Sequence, residues 1–261
     1  MPRFAANLSF LFADRPLPDR VSAARAAGFA AAEMLFPYEH EAEDFAAWLG
    51  AAGVDLVLFN LRPGDWNAGE RGLAALPDRA DEFRASVDEA LRYASATGTR
   101  RLHALAGLAP PDDARAVASY RDALAFACDR AEPLGVDILI EPINGRDMPG
   151  YHLAGFERAA EIIAGLGRPN LKLQFDIYHR QILRGDVING LEELMPLIGH
   201  VQVASVPGRN EPGTGELDDF AVFAALDRLG YQGFVGCEYR PLGRTEEGLG
   251  WMERAASLSR T

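Results

Sequence analysis

The sequence predicts a single (β/α)8 barrel of the α/β class over residues 1–261, and three observations predict it. Glycine sits between a helical stretch and the apolar, strand-like run that follows at Gly28, Gly53, Gly98, Gly135, Gly167, Gly199 and Gly230. Glycine takes the left-handed conformation that ends many helices, so each is a candidate first residue beyond one. Seven such junctions are what eight successive βα units require. The second observation is strict alternation of strand and helix without a break in composition, which means a parallel sheet and, over eight units, a closed barrel. The third is loop length. The segment 61–78 and the irregular run through Glu216 both follow strands, on the face where barrel enzymes keep their chemistry.

Taken in order, the predicted strands cover 4–9, 31–36, 54–60, 101–106, 136–141, 171–176, 200–204 and 234–239. Amphipathic helices lie between them. The first carries Leu17, Val21, Ala24 and Gly28 on one side, and the segment 81–96 aligns Phe83, Val87, Ala90, Leu91 and Ala94.

Nearly half the residues are apolar, enough for a large core, and no apolar run suggests a membrane span or a secretory leader. A cytoplasmic location is the expectation. Cys128 and Cys237 form neither a disulfide framework nor a zinc-ligand pair. The 26 basic and 38 acidic residues give a net charge of −12, which opposes nucleic-acid binding but leaves room for a small anion held by local arginines. Lys172 is the only lysine.

Four consecutive strands end in oxygen donors: Glu141, Asp176, Gln202 and Glu238. Adjacent strands lie about 4.8 Å apart, and alternation lets all four side chains point inward together. Three carboxylates and an amide form a hard, oxygen-only set suited to Mg²⁺ or Mn²⁺. Without a cation the inward carboxylates would repel one another and be costly to bury. Each taken singly is an ordinary strand end facing solvent; four on successive strands predict a site. Glu141 and Glu238 also suit general acid and base, because a ketone on the cation has an acidified neighbouring C–H.

With these residues in place the chain resembles the hydroxypyruvate isomerase family, a branch of the xylose isomerase-like TIM barrels. The resemblance covers almost the whole chain. It rests on Ala5-Asn7-Leu8-Ser9, on Gly64-Asp65-Trp66-Asn67-Ala68-Gly69-Glu70-Arg71-Gly72, and on Ile140-Glu141-Pro142-Ile143-Asn144. Asp176-Ile177-Tyr178-His179, Glu211-Pro212-Gly213-Thr214-Gly215-Glu216 and Gly236-Cys237-Glu238-Tyr239 complete it. It implies Glu141, Asp176, Gln202 and Glu238 as metal ligands, Glu141 and Glu238 as the acid/base pair, and His179 and Arg209 as substrate contacts. It also implies a dimer or tetramer. Many epimerases of this superfamily carry histidine where Gln202 stands.

The remaining candidates have two readings each. Arg209 and Arg71 match a substrate carboxylate, or are surface arginines in an arginine-rich chain. Asn7 and Glu33 end strands one and two and line the pocket, or are structural. Asp147 is a substrate-binding acid or a turn residue; Trp66 covers the substrate or packs on a neighbouring subunit. His200 is a donor behind the ligands or a core histidine. His40, His103 and His152 receive no role. Lys172 lies at the opposite end of its strand from Asp176, which excludes a Schiff-base lysine at the catalytic end, and is expected to pair with Asp137.

The expected reaction is isomerisation of hydroxypyruvate to tartronate semialdehyde through an enediolate, on a small hydroxy-oxo acid with no dinucleotide cofactor. The alternatives are the same chemistry on 2-oxo-tetronate, ketose 3-epimerisation, dehydration through the same enediolate, and a sugar-acid-binding protein without catalysis. A DNA-repair endonuclease on this barrel would want more histidines at strand ends and a basic groove.

Overall fold

A computed structural model describes residues 2–258; residues 1 and 259–261 of the expected domain lie outside it. Eight short parallel strands close into a ring in chain order. They are β1 (Arg3–Asn7), β2 (Ala31–Met34), β3 (Asp55–Asn60), β4 (Arg101–His103), β5 (Asp137–Ile140), β6 (Leu171–Asp176), β7 (Ile198–Val203) and β8 (Phe234–Cys237). The ring closes where β8 pairs with β1, Ala5 opposite Gly236.

Helices α1 (Leu17–Ala26), α2 (Ala42–Ala52), α3 (Ala80–Thr97), α4 (Ala114–Ala131) and α5 (Phe156–Leu166) follow the first five strands in turn. Between β6 and β7 the chain makes α6 (Ile177–Leu183) and α7 (Val187–Leu194); α8 (Asp219–Arg228) and α9 (Gly250–Leu258) complete the outer ring. The stripe expected on α3 is the one it buries, Phe83, Val87, Ala90, Leu91 and Ala94. Asp113 and Asp218 start α4 and α8 by accepting backbone N–H groups that have no helical partner. No helix among the described residues is long and apolar enough to cross a membrane.

Six of the seven punctuating glycines have positive φ, from 61° at Gly167 to 96° at Gly28. Gly199 departs from the expectation. It lies inside β7, and the preceding helix ends instead through a single 3-10 turn at Met195–Leu197. Crowding is the reason glycine stands there: a Cβ would come within 2.7 Å of the Lys172 Cβ and 2.8 Å of Leu139.

The outward faces of the strands pack with the helices into one large apolar cluster that includes Phe45, Phe59, Leu124, Phe156 and Phe175. Ala5, Ala31 and Val57 form a second, small cluster with half-buried Phe234 toward the N-terminal end of the barrel. Above it the interior turns polar. Lys172 makes no ion pair with Asp137 within 4 Å, because register sets Lys172 beside Leu139 and Asp137 beside Arg101. The expected pair is thereby corrected; Lys172 still acts on Asp137 at longer range, after Arg101.

Candidate active site

Parallel strands present their C-terminal ends together, and here those ends are polar. Asn7 pairs in register with Glu33, and Asp176 with Gln202. Glu141 and Glu238 stand one residue beyond β5 and β8 rather than inside them. All six are buried, none more than 6% exposed.

Glu33 organises the floor of this layer. Its Oε1 accepts from Asn7 Nδ2 at 2.9 Å and Gln202 Nε2 at 2.8 Å, and its Oε2 lies 2.8 Å from His200 Nε2. A buried carboxylate is tolerable only with such donors. Gly236 makes the space, since a Cβ there would lie 2.1 Å from Glu33 Oε2. Gln202 is therefore engaged at both ends of its amide: its Oε1 accepts from Gln174 Nε2 at 2.6 Å. Asn7 also reaches Glu238 Oε1 at 3.5 Å.

Above the floor, Glu141, Asp176 and His179 offer ligand atoms within 4.8 Å of one another. His179 Nε2 is 3.6 Å from Asp176 Oδ2 and 3.8 Å from Glu141 Oε1. Those two oxygens are buried and have no hydrogen-bond partner among the described residues. Buried acceptors left open cost stability unless something fills the gap. Two open carboxylate oxygens facing one gap fit a divalent cation.

Arg209 is placed by the loops after β7 and β8. Its backbone sits at φ 56°, where a side chain is strained by about 1–3 kcal/mol. The loop holds it there: Arg209 N donates to Ser205 O at 2.8 Å, and Arg240 N donates to Arg209 O at 2.7 Å. Asp219 Oδ2 anchors the loop by accepting from Ser205 Oγ and Gly213 N, each at 2.6 Å. The guanidinium donates to Glu238 Oε2, lies 3.4 Å from Asp147 Oδ2 and stacks on Tyr178. Asp147, expected as a turn residue, both closes a turn on Asn144 and faces the cavity.

The cavity holds about 460 Å³. Glu141, Glu238, His179, Arg209, His103 and Asp147 line it, and Phe10, Trp66 and Arg71 stand toward its mouth. Arg71 is held by the carbonyls of Trp66 and Glu70 and lies over the Trp66 ring at 4.0 Å. Trp66 packs within the chain, 5.3 Å from Phe36. A larger outer groove of about 750 Å³ beside α2 and α3 has no such convergence of buried acids.

Burial is the first cause of every shift here. It pushes Glu141 well up, with Glu238 and Asp176 adding repulsion. Asp176 is pushed up to about 6 and Glu238 to about 8, each less than burial alone would give because Arg209 opposes it. Burial pulls Arg209 down, but Glu238, Asp176, Glu141 and Asp147 outweigh it and hold the guanidinium above its usual range. Burial lowers His179 well below the ordinary imidazole and His103 to about 3, so both rings are neutral.

Three site residues escaped the sequence reading. His103 ends β4 with Nδ1 3.6 Å from Glu141 Oε2. Gln174 shares the inward face of β6 with Asp176, a signal that strand parity already carried. Asn144 lay inside a quoted motif, yet its contacts depend on a loop turn that no periodicity reveals.

A family model described as xylose isomerase-like TIM barrel matches residues 21–255. The chain is 51% identical to a 2-oxo-tetronate isomerase of Cupriavidus necator over 97% of this chain and 98% of that one. It is 40% identical to the hydroxypyruvate isomerase of Escherichia coli, covering 97% and 99%. A Brucella melitensis crystal structure titled AP endonuclease, family 2, superposes with a TM-score of 0.95 at 44% identity, covering 97% of this chain and 99% of that one.

Proposed function

The chain belongs to the hydroxypyruvate isomerase branch of the xylose isomerase-like TIM barrels, and from that premise we propose that it isomerises a short hydroxy-oxo acid. One observation carries the reading: Glu141 and Glu238, both buried, line a single cavity together with His179 and Arg209.

One carboxylate takes a proton from the carbon bearing the hydroxyl, and the electron pair of that C–H bond becomes the new C=C bond. The keto oxygen gains the negative charge, giving an enediolate. The other carboxyl, protonated beforehand, gives its proton to the former keto carbon and is left as the carboxylate, while the hydroxyl proton passes to the neighbouring oxygen. The aldehyde isomer results with no net change in oxidation state. Arg209 offers its guanidinium to anionic oxygen, and His179 faces the reacting oxygens.

Glu141, Asp176 and Glu238, with Gln202 behind them, are the residues that would hold a divalent ion. Their hard oxygens favour Mg²⁺ or Mn²⁺, which when bound supplies Lewis-acid polarisation of the keto oxygen. Gln202 Oε1 already accepts from Gln174 and Glu238 Oε2 from Arg209, while Glu141 Oε1 and Asp176 Oδ2 are open.

Hydroxypyruvate is the three-carbon member of the substrate class. Its four-carbon homologue is 2-oxo-tetronate, one hydroxymethyl group longer, and the cavity of about 460 Å³ admits both. The net charge of −12 opposes an endonuclease role on DNA. Proton NMR in D₂O with each acid, with and without chelator, tests the reading. Deuterium entering the carbons beside the carbonyl identifies the substrate; no exchange and no product with either acid overturns the proposal.

A further inference from the structure

The ring of His179 is held by Asn144, and the hydrogen bonds determine which nitrogen carries its proton. Asn144 Oδ1 accepts from the backbone N–H groups of Arg146 and Asp147, each at 3.0 Å. A backbone N–H can only donate, so this amide atom is the oxygen. The other atom, Nδ2, has two hydrogens and two acceptors. One is Asp147 Oδ2 at 3.3 Å; the other is His179 Nδ1 at 2.6 Å. The backbone N–H of Asn144 points at the same ring nitrogen from 3.4 Å. Two donors facing Nδ1 require a lone pair there, and a neutral imidazole with its lone pair on Nδ1 has its hydrogen on Nε2.

We propose that Asn144 is a positioning residue that locks His179 in the Nε2–H tautomer, so that the ring donates to a substrate oxygen and is withheld from the metal. A ligating nitrogen must present a lone pair. Nε2 does not, although it shares the gap with Glu141 Oε1 and Asp176 Oδ2. Rotating the proton to Nδ1 would set two N–H groups against each other at 2.6 Å. The gap between Nε2 and those carboxylate oxygens, 3.6–3.8 Å, is too long for a hydrogen bond and leaves the proton directed at whatever oxygen enters. Oxygens alone are then left to bind the cation. The catalytic consequence rests on the isomerase reading above, but the tautomer does not.

Long-range ¹H–¹⁵N correlation of the ¹⁵N-labelled full chain tests the proposal, with His179→Gln identifying the His179 ring signals. The expected result is a protonated Nε2 and an unprotonated Nδ1, unchanged on adding Mg²⁺. Asn144→Asp puts an oxygen opposite Nδ1 and should move the proton onto it, with kcat lower by about 10²-fold or more. Asn144→Ser, which keeps the turn acceptor but removes the Nδ2 donor, should give a mixture of tautomers and serves where Asn144→Asp does not fold. A wild-type proton on Nδ1, loss of the Nε2 proton on adding Mg²⁺, or a ring indifferent to both substitutions overturns the proposal. The expected tautomer in a protein inert toward both acids overturns the isomerase reading and leaves the tautomer lock standing.

Discussion

The guanidinium of Arg209 donates to the carboxylate of Glu238, and the Arg209 carbonyl accepts from the backbone N–H of Arg240, two residues beyond that same glutamate. One residue thus neutralises an acid and fastens the loop that carries it.

Arg209→Gln should leave Glu238 facing burial, Asp176 and Glu33 without an opposing charge, so that it holds its proton still more firmly. A more firmly held proton slows Glu238 in either role, since it must lose that proton to act as base and must give it up to act as acid. We expect kcat/KM at pH 7 to fall about 10²-fold with the far-UV spectrum unchanged, measured by steady-state kinetics and circular dichroism.

Glu141→Gln and Glu238→Gln should each lower kcat by about 10²–10⁴-fold. In metal-free buffer they should also melt no lower than the parent at pH 8. The folded state raises Glu238 to about 8 from 4.5, so its stability contribution is intact below the unfolded value and is lost as pH rises from 4.5 through 8. Glutamine does not titrate. Tm against pH, recorded by calorimetry with chelator present, should fall more steeply for the parent than for Glu238→Gln.

Removing divalent ions with a chelator should abolish turnover, and Mg²⁺ or Mn²⁺ should restore it. The ligating carboxyls must first lose their protons, so the rise in Tm on adding Mg²⁺ should be larger at pH 8 than at pH 5.5. An ion-independent turnover number would count against the oxygen-donor site.

Cys128 and Cys237 are fully buried, and burial raises Cys128 to about 12 and Cys237 well above the ordinary thiol. Neither should react with a disulfide reagent at pH 8 in the native protein; both should react in denaturant. Above pH 9 the unfolded thiols ionise while the folded ones resist. Stability is therefore lost as pH rises through the unfolded thiol range, which denaturant titration would read.

Gly236→Ala should cost about 3 kcal/mol or more, although its φ is ordinary, because the new methyl displaces Glu33 from Asn7, Gln202 and His200. Gly145→Ala, with nothing within 4 Å, is the control. Chemical denaturation of the two variants checks the difference.

How much of this was legible beforehand follows the physics of each feature. β6 lies where apolar alternation put it, and α3 buries its expected stripe, because period and burial are local properties. Gly199 was misjudged because its cause is a steric approach to Lys172, which only barrel register creates. The same register defeated the Lys172–Asp137 pair. The carboxylates at the strand ends were visible as a pattern. Their present partners, Gln174 for Gln202 and Arg209 for Glu238, were not, since hydrogen bonds across the barrel join residues far apart in sequence.

The ring is sealed by β8 against β1, and Glu238 follows directly on that last strand. A growing chain therefore carries Glu141 and Asp176 out of the ribosome well before their counterpart exists. Until the final segment docks, β1 lacks its second partner and the proposed acid/base pair lacks Glu238, so the closure that completes the barrel also completes the proposed site.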